Sequence, residues 1–477
     1  MPTTCSELLD LPLKLDGPGS QAQRLLAALR AAILGGRLTP GLRLPSSRAL
    51  ATQLGLRRNA VVTAYEQLLQ EGLAEGRRGA GTYVAAQLPR GPAEAAPPPA
   101  LSLPGQVPFA LGRTLPDAAL LGHFSRLLRQ HLKNPSPEHF GYGDPRGSLA
   151  LRQAIAVHLA ASRGVVCDPE RILLTSGTQQ GLRLCAEALL APGDAAWIED
   201  PGYPTARRIL SAAGARLMPV PVDAAGIDVA AGMARAPAAG LAYVTPSHQF
   251  PTGAAMAMPR RLALLDWAQS AGAYVLEDDY DSEFRYAGPP LPALAGIDGG
   301  GRVIYLGTFS KTLFAGLRIG FAVLPPALLE RVVAARMLTD RFPPSLTAGA
   351  LAGVIAGGFY AAHLRRMRPR YRAARDLLAA TLAEASEGWL RPAVPGQGLH
   401  LLAPLPEGLP PGSAGVIRAT AGVEGWLLSD TQAAPAGPDG FVLGFSGHPL
   451  PALKRAAQRL GAATAVACCS ARLPRPA

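Results

Sequence analysis

The chain has 477 residues, 48% hydrophobic and 17% charged, with 46 Lys plus Arg against 34 Asp plus Glu and a formal net charge of +12. This excludes a disordered polyelectrolyte, because the apolar content suffices for a large core in more than one domain. Five cysteines (Cys5, Cys167, Cys185, Cys468, Cys469) show neither CxxC spacing nor a paired framework, which argues against structural zinc, leaves metal sites unsupported and fits a reducing compartment.

The start, Met1 to Glu7, lacks the basic and then apolar run of a secretory signal, and no later apolar run reaches membrane-spanning length. A cytoplasmic protein without membrane contact is the expectation. Residues 1–90 carry eleven Arg or Lys against six Asp or Glu, a surplus that suits a polyanionic partner. Ser20 to Leu34 reads as a helix with Leu25, Leu26, Leu29 and Ile33 on one face, closed by Gly35-Gly36. A second helix starts near Pro45-Ser46-Ser47-Arg48, where Ser46 can cap, and ends at Gly55. After Leu56-Arg57-Arg58, a third runs from Asn59 to Glu71, with Val62, Tyr65, Leu68 and Leu69 expected inward. Leu73 to Val84, interrupted by Arg78-Gly79-Ala80-Gly81, reads as a β-hairpin. Two short helices joined by a tight turn and followed by a hairpin describe a winged helix-turn-helix.

These residues resemble the GntR family of DNA-binding domains, through Pro40-Gly41-Leu42-Arg43-Leu44-Pro45-Ser46-Ser47-Arg48-Ala49-Leu50-Ala51, Gly55-Leu56-Arg57-Arg58-Asn59-Ala60-Val61 and Ala64-Tyr65-Glu66-Gln67-Leu68. The resemblance implies a double-stranded DNA operator as partner, met by Arg43, Ser46, Arg48, Arg57, Arg58, Asn59, Arg78 and Gly79. Arg57 stands where the family usually has Ser or Thr and adds a charge for phosphate attraction. Base-reading and phosphate-binding roles stay open among them. The domain is expected over 11–84. Residues 85–108, rich in Pro and Ala, read as a semi-rigid linker.

Beyond the linker, apolar runs at Arg171 to Thr175, Ala195 to Glu199, Leu241 to Thr245, Ala273 to Glu277 and Arg302 to Leu306 alternate with helical patterns. Such alternation predicts a mostly parallel sheet covered on both faces, over 109–346. Helices dominate after 347, with strands near 398–404 and 441–446, giving a smaller C-terminal subdomain over 347–465 and a frayed tail at 466–477 that holds Cys468 and Cys469.

The richest stretch is Gly307-Thr308-Phe309-Ser310-Lys311-Thr312-Leu313-Phe314-Ala315-Gly316-Leu317-Arg318. The chain has only four lysines (Lys14, Lys133, Lys311, Lys454), so arginine fills nearly every ordinary surface role and a lysine kept among hydroxyls stands out. A lysine amine condenses with the aldehyde of pyridoxal 5'-phosphate, while Thr308, Ser310 and Arg318 suit its phosphate. Other strand ends add to the set. Ser176-Gly177-Thr178-Gln179 opens a helix whose N–H groups can cradle phosphate. Tyr203 offers an aromatic face. Asp278, in Glu277-Asp278-Asp279-Tyr280-Asp281, suits a pyridine nitrogen, with Tyr280 near the ring oxygen. Without a cofactor these acids would read as a metal site or a solvated loop.

Together these motifs resemble fold type I aminotransferases, and in particular the MocR subfamily of GntR-type regulators, which fuse both modules. Phe140-Gly141-Tyr142-Gly143-Asp144-Pro145-Arg146-Gly147, Thr245-Pro246-Ser247-His248-Gln249-Phe250-Pro251-Thr252-Gly253 and Gly398-Leu399-His400 carry the subfamily likeness, which spans about Leu11 to Leu460. The implied fold class is α/β: an N-terminal winged helix-turn-helix plus a fold type I PLP-dependent aminotransferase-like domain. The resemblance implies Lys311 as the Schiff-base lysine, His248 and Gln249 near the ring oxygen, and Tyr142 reaching the phosphate in the partner subunit of a head-to-tail homodimer. It implies a regulator that senses PLP itself or a small amino effector, and the cofactor reading would connect it with vitamin B6 synthesis. Aminotransferases usually fork the substrate carboxylate with an arginine on the small-domain strand; Val442 stands about there, and Arg207 or Arg208 are candidate replacements. An aminotransferase with an accessory DNA-binding domain, and a cofactor-free scaffold that binds only DNA, remain as alternatives.

Overall fold

A computed structural model describes residues 15–77, 80–88, 107–289, 291–434, 437 and 439–474, in two compact units lying within Met1–Ser102 and Leu103–Ala477. In the first unit, α1 (Gln21–Leu34) begins with a capping box: the Ser20 hydroxyl accepts from the Gln23 N–H, and the Gln23 side chain accepts from the Ser20 N–H. Next comes α2 (Ser47–Leu54), capped by the Ser46 hydroxyl on the Ala49 N–H (3.2 Å) and closed by Gly55 at φ 65°, a left-handed turn that glycine adopts without a Cβ penalty. α3 (Arg58–Gln70) follows at once. A two-stranded antiparallel hairpin, β1 (Ala74–Arg77) and β2 (Gly81–Val84), completes the winged form.

Leu25, Leu29, Ile33, Leu50, Val61, Leu68 and Val84 pack one core. The face of α3 differs from the expected one: Val61 and Ala64 are buried with Tyr65 and Leu68, whereas Val62 is half-buried and Leu69 is 40% exposed. Tyr65 sets this register, because its hydroxyl donates to the Pro45 carbonyl (2.9 Å).

In the second unit, α4 (Ala118–Lys133) and α5 (Leu149–Arg163) lead into β3 (Ile172–Thr175), α6 (Thr178–Leu189), β4 (Ala195–Asp200), α7 (Pro204–Ala212), β5 (Arg216–Asp223) and β6 (Gly226–Ile227). The chain continues through α8 (Val229–Arg235), β7 (Leu241–Val244), α9 (Met258–Ala271), β8 (Tyr274–Asp279), α10 (Leu294–Asp298), β9 (Val303–Thr308) and β10 (Gly320–Val323). These strands form one eight-stranded sheet in the order β3-β10-β9-β8-β7-β4-β5-β6. The pairs β5–β4, β4–β7, β7–β8 and β8–β9 are parallel, and β10 lies antiparallel between β9 and β3. The five anticipated strands are all present. The prolines of β5 (Pro219, Pro221) hid it from the apolar pattern, and β10, as short as the anticipated β3 and β7, is a further strand.

After α11 (Leu329–Thr339) and α12 (Ser345–Ala356), the long α13 (Phe359–Ala385) leads to β11 (His400–Pro404), α14 (Ser413–Ala421), β12 (Trp426–Leu427), β13 (Gly440–Gly444) and α15 (Leu450–Ser470), with a small antiparallel sheet β11-β13-β12. The expected frayed tail is corrected through Ser470: α15 stays helical there, and Cys468 is buried beside Trp389. Most of the expected linker, residues 89–106, lies outside the described residues. Among the described residues, no single helix is long and apolar enough to cross a membrane.

Candidate ligand cavity and DNA-facing surface

In open α/β sheets the carboxyl ends of parallel strands converge on one edge, where loops can meet a ligand. That edge here encloses a cavity of about 600 Å³. Strand ends deliver its lining: Gly177, Thr178 and Gln179 after β3, Tyr203 after β4, Thr245 after β7, Asp278 and Tyr280 from β8, and Thr308, Ser310 and Lys311 from β9. Arg318 lines it as well, at φ 51°.

Several of these groups lack partners. The buried Asp278 Oδ1 and Ser310 Oγ make no hydrogen bond, and α6 begins at Gly177 (φ 115°) without a side-chain cap. Among the described residues, the Lys311 amine and the Arg318 guanidinium likewise have no hydrogen-bond or ion-pair partner. Burial lowers the Lys311 pKa, opposed by the charges of Asp281 and Asp278. Burial pushes the Asp278 carboxyl up to about 7, and the Tyr243 hydroxyl opposes this by donating to Oδ2 (2.7 Å). Near Lys311, the His363 ring spans the Thr312 carbonyl and the Asp117 carboxylate, each at 2.8 Å, and steadies the loop.

Other expected residues are placed elsewhere. His248 and Gln249 do not line the cavity. The His248 ring is turned onto Asp281 (Nδ1 to Oδ2, 3.0 Å), and the Gln249 amide donates to Glu199 (3.2 Å) and to the Pro201 carbonyl (2.9 Å). His400 takes the cavity position, with its ring centroid 4.5 Å from that of His248. Burial holds the His400 imidazole well below its ordinary pKa, and its Nε2 is unpartnered. The fold thus brings His248, Asp281 and His400 within 4.8 Å of one another, a cluster that sequence spacing did not reveal. Ser176 lies behind the lining, its N–H held by Gln180 Oε1 (2.7 Å). Tyr142, 81% exposed beneath the Arg341 guanidinium, does not reach this chain's own cavity.

Val442 is fully buried on β13, and neither Arg207 nor Arg208 lines the cavity; Arg207 donates to the Asp430 carbonyl (3.2 Å). Besides Arg318, the arginine that lines it is Arg113, which nothing in the local sequence singled out. Gly112 before it sits over the lysine: a Cβ on Gly112 would stand 2.0 Å from Lys311 Nζ.

In the first unit, Arg48, Arg57, Arg58 and Asn59 are exposed around the start of α3, with Arg57 at its N-cap. Arg43 is exposed and bridges to Tyr83 of the hairpin, where Arg77 lies 4.4 Å over the same ring. Ser46 serves as the α2 cap. Arg78 and Gly79 lie outside the described residues.

Two family models match the chain: "Bacterial regulatory proteins, gntR family" over residues 21–84 and "Aminotransferase class I and II" over 116–398. The chain is 39% identical over 412 residues to the probable rhizopine catabolism regulatory protein MocR of Rhizobium meliloti, covering 82% of this chain and 83% of that one. It is 35% identical over 454 residues to the HTH-type pyridoxine biosynthesis transcriptional regulator PdxR of Corynebacterium glutamicum, covering 92% and 96%. Among solved structures it resembles the α-aminoadipate aminotransferase LysN of Thermus thermophilus, complexed with N-(5'-phosphopyridoxyl)-L-leucine, at 27% identity and a TM-score of 0.69, covering 76% of this chain and 93% of that one. With a gntR unit ahead of a class I and II aminotransferase unit, and relatives matched across both, the chain belongs to the MocR subfamily of GntR-type transcriptional regulators.

Proposed function

We propose that this protein is a pyridoxal phosphate-dependent transcriptional regulator, a cytoplasmic homodimer whose winged helix binds an operator and whose aminotransferase-like unit senses a ligand. One observation carries the reading: on a chain with a gntR unit, an unpartnered lysine amine shares a cavity with an orphan carboxylate oxygen, an orphan hydroxyl, an unpaired arginine and an uncapped helix start. That donor set fits PLP group by group. Lys311 would hold its aldehyde carbon; Ser310, Thr308, Arg318 and the Gly177–Gln179 N–H groups would take its phosphate. Asp278 would serve its ring nitrogen, Tyr203 its ring face and Tyr280 its ring oxygen. Bound there, the cofactor supplies an electrophilic carbon and an electron-withdrawing ring.

The exposure of Tyr142, outside this chain's own cavity, supports the head-to-tail dimer, in which it would serve the partner's cavity. A ligand alters DNA binding only if it binds one domain arrangement better than another. The likeness to a pyridoxine biosynthesis regulator supports the cofactor itself as signal, and hence control of vitamin B6 synthesis. Arg113 in the cavity supports a second ligand.

Operator titrations of the full chain with and without PLP test the reading. PLP is expected to change operator affinity by about 5- to 150-fold, and Lys311→Ala to remove that change while keeping DNA binding. Steady transamination of several amino acids, with operator affinity indifferent to every ligand, would put the enzyme reading in its place.

A further inference from the structure

The cofactor reading gives a task to Lys311, Asp278, Arg318 and the start of α6; apart from Asp281, which is bonded to His248, it leaves two charged side chains of the same cavity without one. Arg113 comes from the segment after Phe109, and Glu424 from the turn before β12. Among the described residues, neither side chain has a hydrogen-bond or ion-pair partner, so they do not neutralise each other either. Their backbones are nevertheless fastened together. The Glu424 N–H donates to the Pro108 carbonyl and the Gly444 N–H to the Phe109 carbonyl, both at 3.0 Å. Gly447 closes on the Arg113 side-chain base, where an added Cβ would come within 2.0 Å of Arg113 Cβ. Both charges therefore stand on a preorganised rim, half-buried and unpaired, where a ligand carrying the opposite charges can meet them.

The ligand's layout follows from the neighbours. Gly112 touches Lys311 Nζ, so Arg113, the next residue, stands where the carboxylate adjoining a reacting α-amine would fall. Glu424 adjoins Trp426, whose ring lies parallel to Tyr203 (8° between planes, centroids 6.2 Å apart) and offers an apolar wall to methylene groups. We propose that Arg113 and Glu424 select a basic amino acid as the effector, with its α-carboxylate on Arg113, its α-amine toward Lys311 and its side-chain cation on Glu424. Arg113 thereby takes the place of the arginine missing from β13. The inference rests on the cofactor reading above.

Isothermal titration of the PLP-loaded full chain, with loading verified by visible absorbance, tests it using L-lysine, L-ornithine, L-arginine, L-norleucine and L-glutamate. At least one basic amino acid should bind about tenfold or more tighter than norleucine, which lacks the terminal cation. Glutamate should bind more weakly than norleucine. Glu424→Gln should erase the preference for the cation, and Arg113→Ala should weaken every amino acid about 10- to 100-fold, both variants keeping the cofactor absorbance and thermal midpoint. Equal binding of the basic amino acids and norleucine by wild type, a preference that survives Glu424→Gln, or an affinity indifferent to Arg113→Ala would each overturn the assignment. A chain that fails to load PLP removes the cofactor reading and this inference with it; a loaded chain without the preference removes only this inference.

Discussion

Asp278 shows how a single residue ties the site to solution conditions. Burial pushes its carboxyl up to about 7, so the folded chain holds this proton more tightly than the unfolded chain, whose carboxyl titrates near 4. Stability from this group is therefore highest at low pH, falls as pH rises from about 4 through about 7, and is level above. Glu199, Glu277 and Glu283, also pushed up to about 7 by burial, act in the same direction. Cofactor-free Asp278→Asn should lose less thermal stability between pH 5 and 7.5 than cofactor-free wild type, measured by circular dichroism melts; equal losses would show that Asp278 does not titrate there. Lys311 and Asp278 were legible because chemistry marks them locally: a rare lysine among hydroxyls, and acids ending an apolar strand. Arg113 and Glu424 were not, because nothing beside them in the chain distinguishes them and only long-range folding carries them to the cavity; His400 lay in a stretch marked by resemblance, but its place beside His248 came only with the fold.

Among the elements, α3 carries the exposed basic start expected of a recognition helix, while its apolar side packs on α1 and α2. Arg58→Ala should weaken operator binding and reduce the steepness of log affinity against log salt by about one unit for each phosphate the guanidinium neutralises. Unchanged affinity and slope in a salt-series titration would remove Arg58 from the interface. The helix's existence and bounds were readable to within a residue, but its inward face was not, since Val61 and Val62 are equally apolar and Tyr65's bond to Pro45 decides between them. In the large sheet, the buried central strands announced themselves as continuous apolar runs. The half-exposed β5 and the two-residue β12 carried no such pattern. The small sheet's pairing matters because β13 presents Val442 to the core, so that no charged side chain stands at that position.

At the scale of the molecule, the described residues form separate cores in the two units, that of the first built on Leu25, Leu29, Leu50 and Leu68. A fragment spanning residues 1–102 should melt cooperatively by circular dichroism, and Leu68→Ala should destabilise it by about 2–5 kcal/mol. In gel-shift titration the fragment should bind the operator about a hundredfold more weakly than the full chain if, as proposed above, the larger unit dimerises and so raises avidity. A fragment without a cooperative melt would show that the first unit depends on the second.

The roof over Lys311 is made by the opening residues of the second unit, Ala110 to Arg113. Among the described residues of the second unit, this stretch crosses the cavity ahead of α4, the first helix or strand there. A ligand that bears on Gly112 or Arg113 would meet backbone held in no helix or strand, at a stretch of the second unit close in sequence to the first.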